Sequence, residues 1–229
     1  MGNVFVSFLF IMMTLAVYIL GKVLYKKYPS PLTLPILTGT LFIVFILVFF
    51  EIPYETYQQG GKWIEHLLGP AVVALGYPLY KQRALFTKYI VPVCVGVGVG
   101  SIVGVYTGFQ FAYWLNIEKE VMFSLLPKSV TTPVAMDIAQ TIGGASPLTA
   151  IFVMFAGISG AVGGPLLLRW CKVNDVVGRG VGMGTASHAI GTAKAMELSE
   201  QEGAISTIAM TVSAVIVSVI IPVFVFFLY

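Results

Sequence analysis

Long apolar runs separated by short charged clusters dominate the chain. A helix needs about 20 mostly apolar residues to cross a bilayer, and 5–24 and 32–50 meet that requirement. So do 89–115, 147–170 and 205–228. The run 63–80 is shorter and is interrupted by Gly69-Pro70, Gly76 and Pro78. Two further stretches, 121–144 and 178–196, have membrane-like length but are rich in Gly, Pro, Ser and Thr. This pattern predicts an all-α polytopic membrane protein with about seven transmembrane helices, some of them discontinuous or re-entrant. It forms a single integral membrane domain over 1–229.

Composition supports this reading. Only 10% of the 229 residues are charged and 58% are hydrophobic, against about 25% charged in a soluble domain. Too little polar surface exists to cover a water-facing exterior. No continuous basic face is present for nucleic acid. Cys94 and Cys171 stand apart in apolar surroundings without ligand spacing, so they read as small buried residues. The first apolar run has no basic residues before it and no evident cleavage site, and it is expected to stay as the first membrane helix.

Lys and Arg set the orientation. The loops at 21–31, 81–88 and 169–179 hold 9 of the 13 basic residues, whereas the alternate loops hold 8 of the 10 acidic ones. Basic loops face the cytoplasm, so the N-terminus is expected outside and the C-terminus inside. For the loops to alternate correctly, 121–144 must enter and leave on one side, whereas 178–196 crosses. The order span, broken span, span over 32–115 then recurs reversed over 147–228, an arrangement associated with secondary transporters.

Candidate chemistry sits in the interrupted stretches. In Leu126-Pro-Lys-Ser-Val-Thr-Thr-Pro-Val-Ala-Met-Asp137, Pro133 suits the first turn of a helix capped by Thr131 or Thr132. Its free N–H groups and positive dipole end, together with Lys128, Ser129, Thr131 and Thr132, suit an anion such as a carboxylate. Asp137, about one turn into that helix, is positioned to pair with Lys128 or to bind a coupling ion. The second stretch, Gly180–Lys194, carries His188 with Thr185, Ser187, Thr192 and Lys194 around it. Intramembrane ionisable groups are costly and commonly functional. His188 therefore reads as a carboxylate or proton ligand, or as a hydrogen-bonded structural residue. The third stretch, Leu68–Tyr80, offers helix breaks and two tyrosines; it completes the site or simply kinks. Gly96, Gly100, Gly104 and Gly108 form a GxxxG ladder for close packing, within the chain or against a second copy as a homo-oligomer. No metal-ligand cluster, cofactor motif or placed nucleophile–base pair occurs, so neither an enzyme, a metal nor a cofactor is expected.

Three stretches resemble the LrgB/CidB family of bacterial membrane proteins. They are Leu68-Gly-Pro-Ala-Val-Val-Ala-Leu with Pro78-Leu79-Tyr80; Pro127-Lys-Ser-Val-Thr-Thr-Pro-Val-Ala-Met136 with Ile142-Gly-Gly and Leu148-Thr149-Ala150; and Ser187-His-Ala-Ile-Gly-Thr-Ala-Lys-Ala195. The similarity runs from about residue 30 to the C-terminus. It implies a holin- or antiholin-like protein modulating murein hydrolase export and autolysis. It also implies kinship with the plastid glycolate/glycerate translocator, hence transport of small monocarboxylates such as pyruvate. A small LrgA/CidA-like membrane partner is implied as well, with the substrate held by Lys128, Ser129, Thr131, Thr132, Ser187, His188 and Thr192.

Overall fold

The computed structural model describes residues 2–30, 33–67, 70, 73, 74 and 76–228, and all regular structure among them is helical. The chain divides into two compact units, Met1–Pro70 and Ala71–Tyr229.

The first unit contains α1 (Gly2–Lys27), α2 (Pro35–Phe49) and α3 (Tyr54–Glu65). Apolar composition makes α1 a spanning helix. Pro35 starts α2 without losing a hydrogen bond, because the first-turn N–H groups have no partner there anyway. At 1.5 Å per residue its 15 residues reach only about 22 Å. The sequence pattern did not predict α3, which is too polar to span. It forms because it packs on α1: the Tyr57 hydroxyl lies 3.2 Å from Thr14 Oγ1, and Gly60 admits Phe10 and the Ser7 backbone. Of the interruption expected in 63–80, Gly69 lies outside the described residues, as do Leu68, Ala71, Val72 and Leu75, whereas Gly76 and Pro78 fall at the start of a short helix, Gly76–Lys81. The expected repeat unit 32–115 includes that stretch.

In the second unit, the short α4 (Gly76–Lys81) and α5 (Arg83–Lys88) lead into α6 (Ile90–Trp114). There follow α7 (Lys119–Leu125), α8 (Thr132–Thr141), α9 (Ser146–Trp170), α10 (Val176–Leu198) and α11 (Glu200–Leu228). With α1, the helices α6, α9 and α11 are long and apolar enough to cross a membrane. Helix ends are set locally. Pro133 and Pro147 occupy first-turn positions of α8 and α9. The carbonyls of α2, α6, α8 and α9 are closed by paired bonds such as Ile117 N–H to Ala112 and Val173 N–H to Leu168. Those closures place Glu51, Asn116, Gly143 and Lys172 at positive φ, the usual left-handed helix stop.

Helices α7 and α8 form the re-entrant hairpin expected for 121–144. Ser124 Oγ accepts from the Ala145 N–H at 2.8 Å and donates to Glu120 O at 2.7 Å, so entry and exit are stapled side by side.

The expectation for 178–196 is corrected: this stretch does not cross. Gly180 packs on the Glu202 backbone and Gly203 packs on Met196, although a straight helix would hold residues 180 and 196 about 24 Å apart. Likewise, Gly184 touches the Ser206 backbone while Thr192 Oγ1 lies 2.8 Å from Ser206 Oγ. Both arms therefore face one turn of α11, and the fold point is His188, where φ is 41° and ψ is −134°. The charge pattern placed Arg179 and Glu202 on opposite faces, yet Arg179 Nε lies 2.8 Å from Glu202 Oε1. Consequently α11, which starts beside Arg179, carries Leu228 away from the 169–179 loop, and not back to it as expected. Local pairing accounts for the difference: a charge bias counts Lys and Arg by loop and cannot register an ion pair that draws two charges together.

This topology is testable with single cysteines in a Cys94→Ser background. Cys171 and Leu198→Cys should react with an impermeant maleimide from one face, and Leu228→Cys in a Cys171→Ser chain from the other. Labelling of 171 and 198 from opposite faces would overturn the fold-back.

Candidate functional site

Hairpin α7–α8 delivers the first signature stretch to its tip. Thr131 occupies the N-cap of α8, but its side chain makes no capping bond. Pro133 at the second helical position has no N–H to offer. The Thr131 hydroxyl is buried and lacks any partner. Lys128 Nζ donates to Gly104 O at 3.2 Å, so it meets a carbonyl of α6. Ser129 lies over the same glycine: a β-carbon there would sit 3.7 Å from Ser129 Oγ. Thr132 is half-buried, and Asp137 is exposed on α8. Lys128 and Asp137 form no ion pair with each other; the ion pairs that do form include Arg179–Glu202 and Lys194–Glu197.

The tip of α10 brings the second signature stretch inward. His188 is 2% exposed, and its Nε2–H donates to Val153 O at 2.9 Å. That approach requires Gly157, where a β-carbon would lie 2.8 Å from Nε2. Val153 belongs to the cluster that also contains Val105, Leu126 and Val130, so the imidazole is anchored beside the other hairpin's tip. A positive φ is uncommon for a residue with a β-carbon. Unlike the helix-end examples, His188 adopts it inside a helix, where it costs about 1–3 kcal/mol and tends to mark functional positions. Ser187 is buried against Gly160. Thr192 lies lower on the second arm and is tied to Ser206, away from the fold point.

The glycine ladder joins the two stretches. Going down α6, a β-carbon at Gly96 would meet Val181 at 2.9 Å and one at Gly100 would meet Thr185 at 3.1 Å. At Gly104 the neighbour is Ser129, and at Gly108 a β-carbon would lie 2.6 Å from Lys128 Nζ. One ladder thus receives both hairpins, each on its own pair of turns. Its packing, open from sequence, is within the chain. A second small-residue row on α9, Gly157, Gly160 and Gly164, seats His188, Ser187 and Met183. Sequence reasoning passed over that row, although its three- and four-residue spacing was visible in the 147–170 span. It also gave Thr185 no role of its own. Thr185 Oγ1 is buried and without a partner.

Chemically, these elements set a primary amine and the Ser129 hydroxyl against α6 and a histidine against α9, in an otherwise apolar interior. Among the described residues no group of three His, Cys, Asp or Glu is arranged to hold a metal ion.

Helices that cross and hairpins that fold back between them define a multi-pass membrane protein. The chain belongs to the LrgB-like family, whose model matches residues 14–227. It is 46% identical over 211 residues to the protein YxaC of Bacillus subtilis, covering 92% of each chain. It is 37% identical over 223 residues to the holin-like protein CidB of Staphylococcus aureus, covering 97% of each. YwbG of B. subtilis is 36% identical, over 92% of this chain and 94% of its own. No solved structure matches the chain. The resemblance read from the three signature stretches is thereby borne out at the level of family.

Proposed function

We propose that this protein is a secondary-type transporter of small monocarboxylates of the pyruvate, glycolate and glycerate class. It acts without enzymatic chemistry of its own and works with a small LrgA/CidA-like membrane partner. One observation carries the reading: two hairpins deliver Lys128, Ser129 and Thr185 to one face of α6, and each hairpin keeps a buried hydroxyl without a partner, Thr131 on one and Thr185 on the other. Unmade hydrogen bonds in an apolar interior are costly. Their persistence here is accounted for by a polar ligand that completes them. Lys128 supplies charge for a carboxylate at the start of α8, and His188 holds its second ring nitrogen, Nδ1, available for the coupling proton. Broken or folded-back helices around an internal polar site are the usual setting for alternating access.

The membrane is a bacterial cytoplasmic one, with the basic clusters at 81–88 and 169–179 facing the cytoplasm. The N-terminus is outside by the same rule, and the fold-back of α10 carries the C-terminus outside as well.

A second reading follows from the name of the S. aureus relative, a holin-like protein. In it the chain modulates murein hydrolase export and autolysis through a lesion formed by self-association. The glycine ladder, the natural surface for that association, is occupied from within the chain.

Uptake of labelled pyruvate or glycolate into proteoliposomes, with and without the small partner, tests the choice. Saturable uptake by the wild type is expected, reduced at least about tenfold, the weight of one ~1.4 kcal/mol interaction, in Lys128→Ala and His188→Ala. Absence of saturable uptake in every condition would sink the transport reading. Normal uptake by both variants would move the site elsewhere.

A further inference from the structure

We propose that the bent segment α4–α5 is a seat for the headgroup of an anionic phospholipid, held between Arg83 and Lys88 with Lys81 beside them, and that this lipid steadies the start of α6.

The segment is built as an amphipathic elbow. Helix α4 ends at Lys81, Gln82 leaves helical geometry at φ −100° and ψ 19°, and α5 begins at Arg83. With about 3.6 residues per turn, α5 sorts its side chains into two arcs. Leu85 and Phe86, continued by Tyr89, pack on the cluster that contains Val93, Val181 and Ile205. Arg83, Ala84, Thr87 and Lys88 are exposed on the other arc. Two small residues thus separate two cations on an open surface. Tyr77 and Tyr80 of α4 are exposed as well, at 66% and 65%. Tyrosine with a bare ring suits the headgroup layer of a bilayer, where one end is apolar and the other wet.

The cations of the elbow have no protein counter-ion. No Asp or Glu occurs from 66 to 117, and none of Lys81, Arg83 and Lys88 forms an ion pair among the described residues. The base of the second hairpin meets the same apolar cluster, and there Arg179 is already matched by Glu202. Arg83 and Lys88 rest over aromatic rings instead, Arg83 Cζ 4.6 Å from the Tyr80 centroid and Lys88 Nζ 5.0 Å from that of Tyr89. Arg83 Nη1 also donates to Tyr80 O at 3.3 Å, which leaves the rest of its fork for a ligand. These contacts hold the charges in place without neutralising them. The Thr87 hydroxyl is spent on Arg83 O, so the cations are the groups that recognise the ligand.

A guanidinium fork matches the oxygens of a phosphodiester, and basic side chains at a bilayer surface attract anionic headgroups. The exposed tyrosine rings point to the membrane as the source, because a phosphate ion in water would leave them uncovered. A headgroup on the outer arc of α5 would keep Leu85, Phe86 and Tyr89 seated on Val181 and Ile205. Lipid charge would then reach the base of the second hairpin and the helix that carries the glycine ladder.

Thermal unfolding of the full chain in nanodiscs of phosphatidylcholine, alone or mixed equally with phosphatidylglycerol, tests this. The wild-type midpoint should be higher with phosphatidylglycerol, and the gain should shrink at high salt. Titration of phosphatidylglycerol into phosphatidylcholine–detergent micelles gives the apparent affinity. One cation near an anionic surface is worth about fivefold in affinity, so Lys88→Gln should weaken the response about fivefold and Arg83→Gln/Lys88→Gln about 25-fold. Thr87→Glu keeps the cations and sets a carboxylate between them; it should also lose the gain, and it serves where the double variant fails to insert. Lys26→Gln/Lys27→Gln, which removes the same charge from the exposed end of α1, should respond as the wild type does. An undiminished gain in the elbow variants, or an equal loss in the α1 variant, would overturn the site. Inorganic phosphate raising the midpoint as far in phosphatidylcholine would overturn the lipid as its ligand.

Discussion

Gly184→Val should fail to give a monodisperse protein in detergent, or should unfold at a markedly lower temperature than wild type. A β-carbon at Gly184 would overlap the backbone of Ser206, including its carbonyl oxygen. Backbone in a packed helix cannot rotate aside as a long side chain can. The first arm of α10 would have to lift off α11, losing the cluster of Val181, Ile205, Ile208 and Ala209 with it. Overpacking in a well-packed interior costs about 1–3 kcal/mol, occasionally more, and the backbone obstacle puts this case at the upper end. Gly163→Val is the matched control, because a β-carbon at Gly163 meets nothing within 4 Å. Size-exclusion profiles and thermal unfolding of the two variants read the difference directly. If Gly184→Val were as stable as Gly163→Val, the close seating of α10 on α11 would be wrong.

At His188, two substitutions should separate two roles. His188→Ala removes the bond to Val153 O, worth about 0.5–1.5 kcal/mol net, and keeps a β-carbon at a φ of 41°. His188→Gly removes the same bond but relieves the backbone, since glycine tolerates positive φ without steric cost. His188→Gly should therefore be the more stable of the two, by about 1 kcal/mol or more, read as a higher unfolding midpoint. Uptake should be lost in both, because neither supplies an imidazole. Equal stability would mean that the fold point carries no strain. Retained uptake in His188→Gly would reduce the imidazole to a structural anchor.

The two hairpins were unequally legible in the sequence. Prolines 127 and 133 stop helix formation locally, and the charge balance required 121–144 to return to its starting side. That fold-back could be read without a structure. The break in 178–196 was placed near its glycines, Gly184 and Gly191, because glycine is the usual helix breaker. Those glycines instead let the arms approach: Gly184 meets Ser206, and Gly191 meets Ser187 and the Met183 backbone. The turn itself falls on His188, a residue whose intrinsic preference gives no sign of it. Thr192, expected at the site, is a tie to α11, whereas Thr185 was noted only as a neighbour.

What the sequence determined by itself was the membrane, the long spans and the family, and which two stretches hold the polar chemistry. Each depends on local properties: apolar run length, helix stops, and contiguous motifs. Tertiary structure decided that 178–196 folds back, that Arg179 meets Glu202, and that the ladder on α6 holds both hairpins. It also decided which hydroxyls are left unbonded. Those outcomes depend on which backbones can approach closely, a property of pairs of helices far apart in the chain. Small residues permit such contacts without specifying the partner, so the ladder was readable as a packing face and its occupants were not.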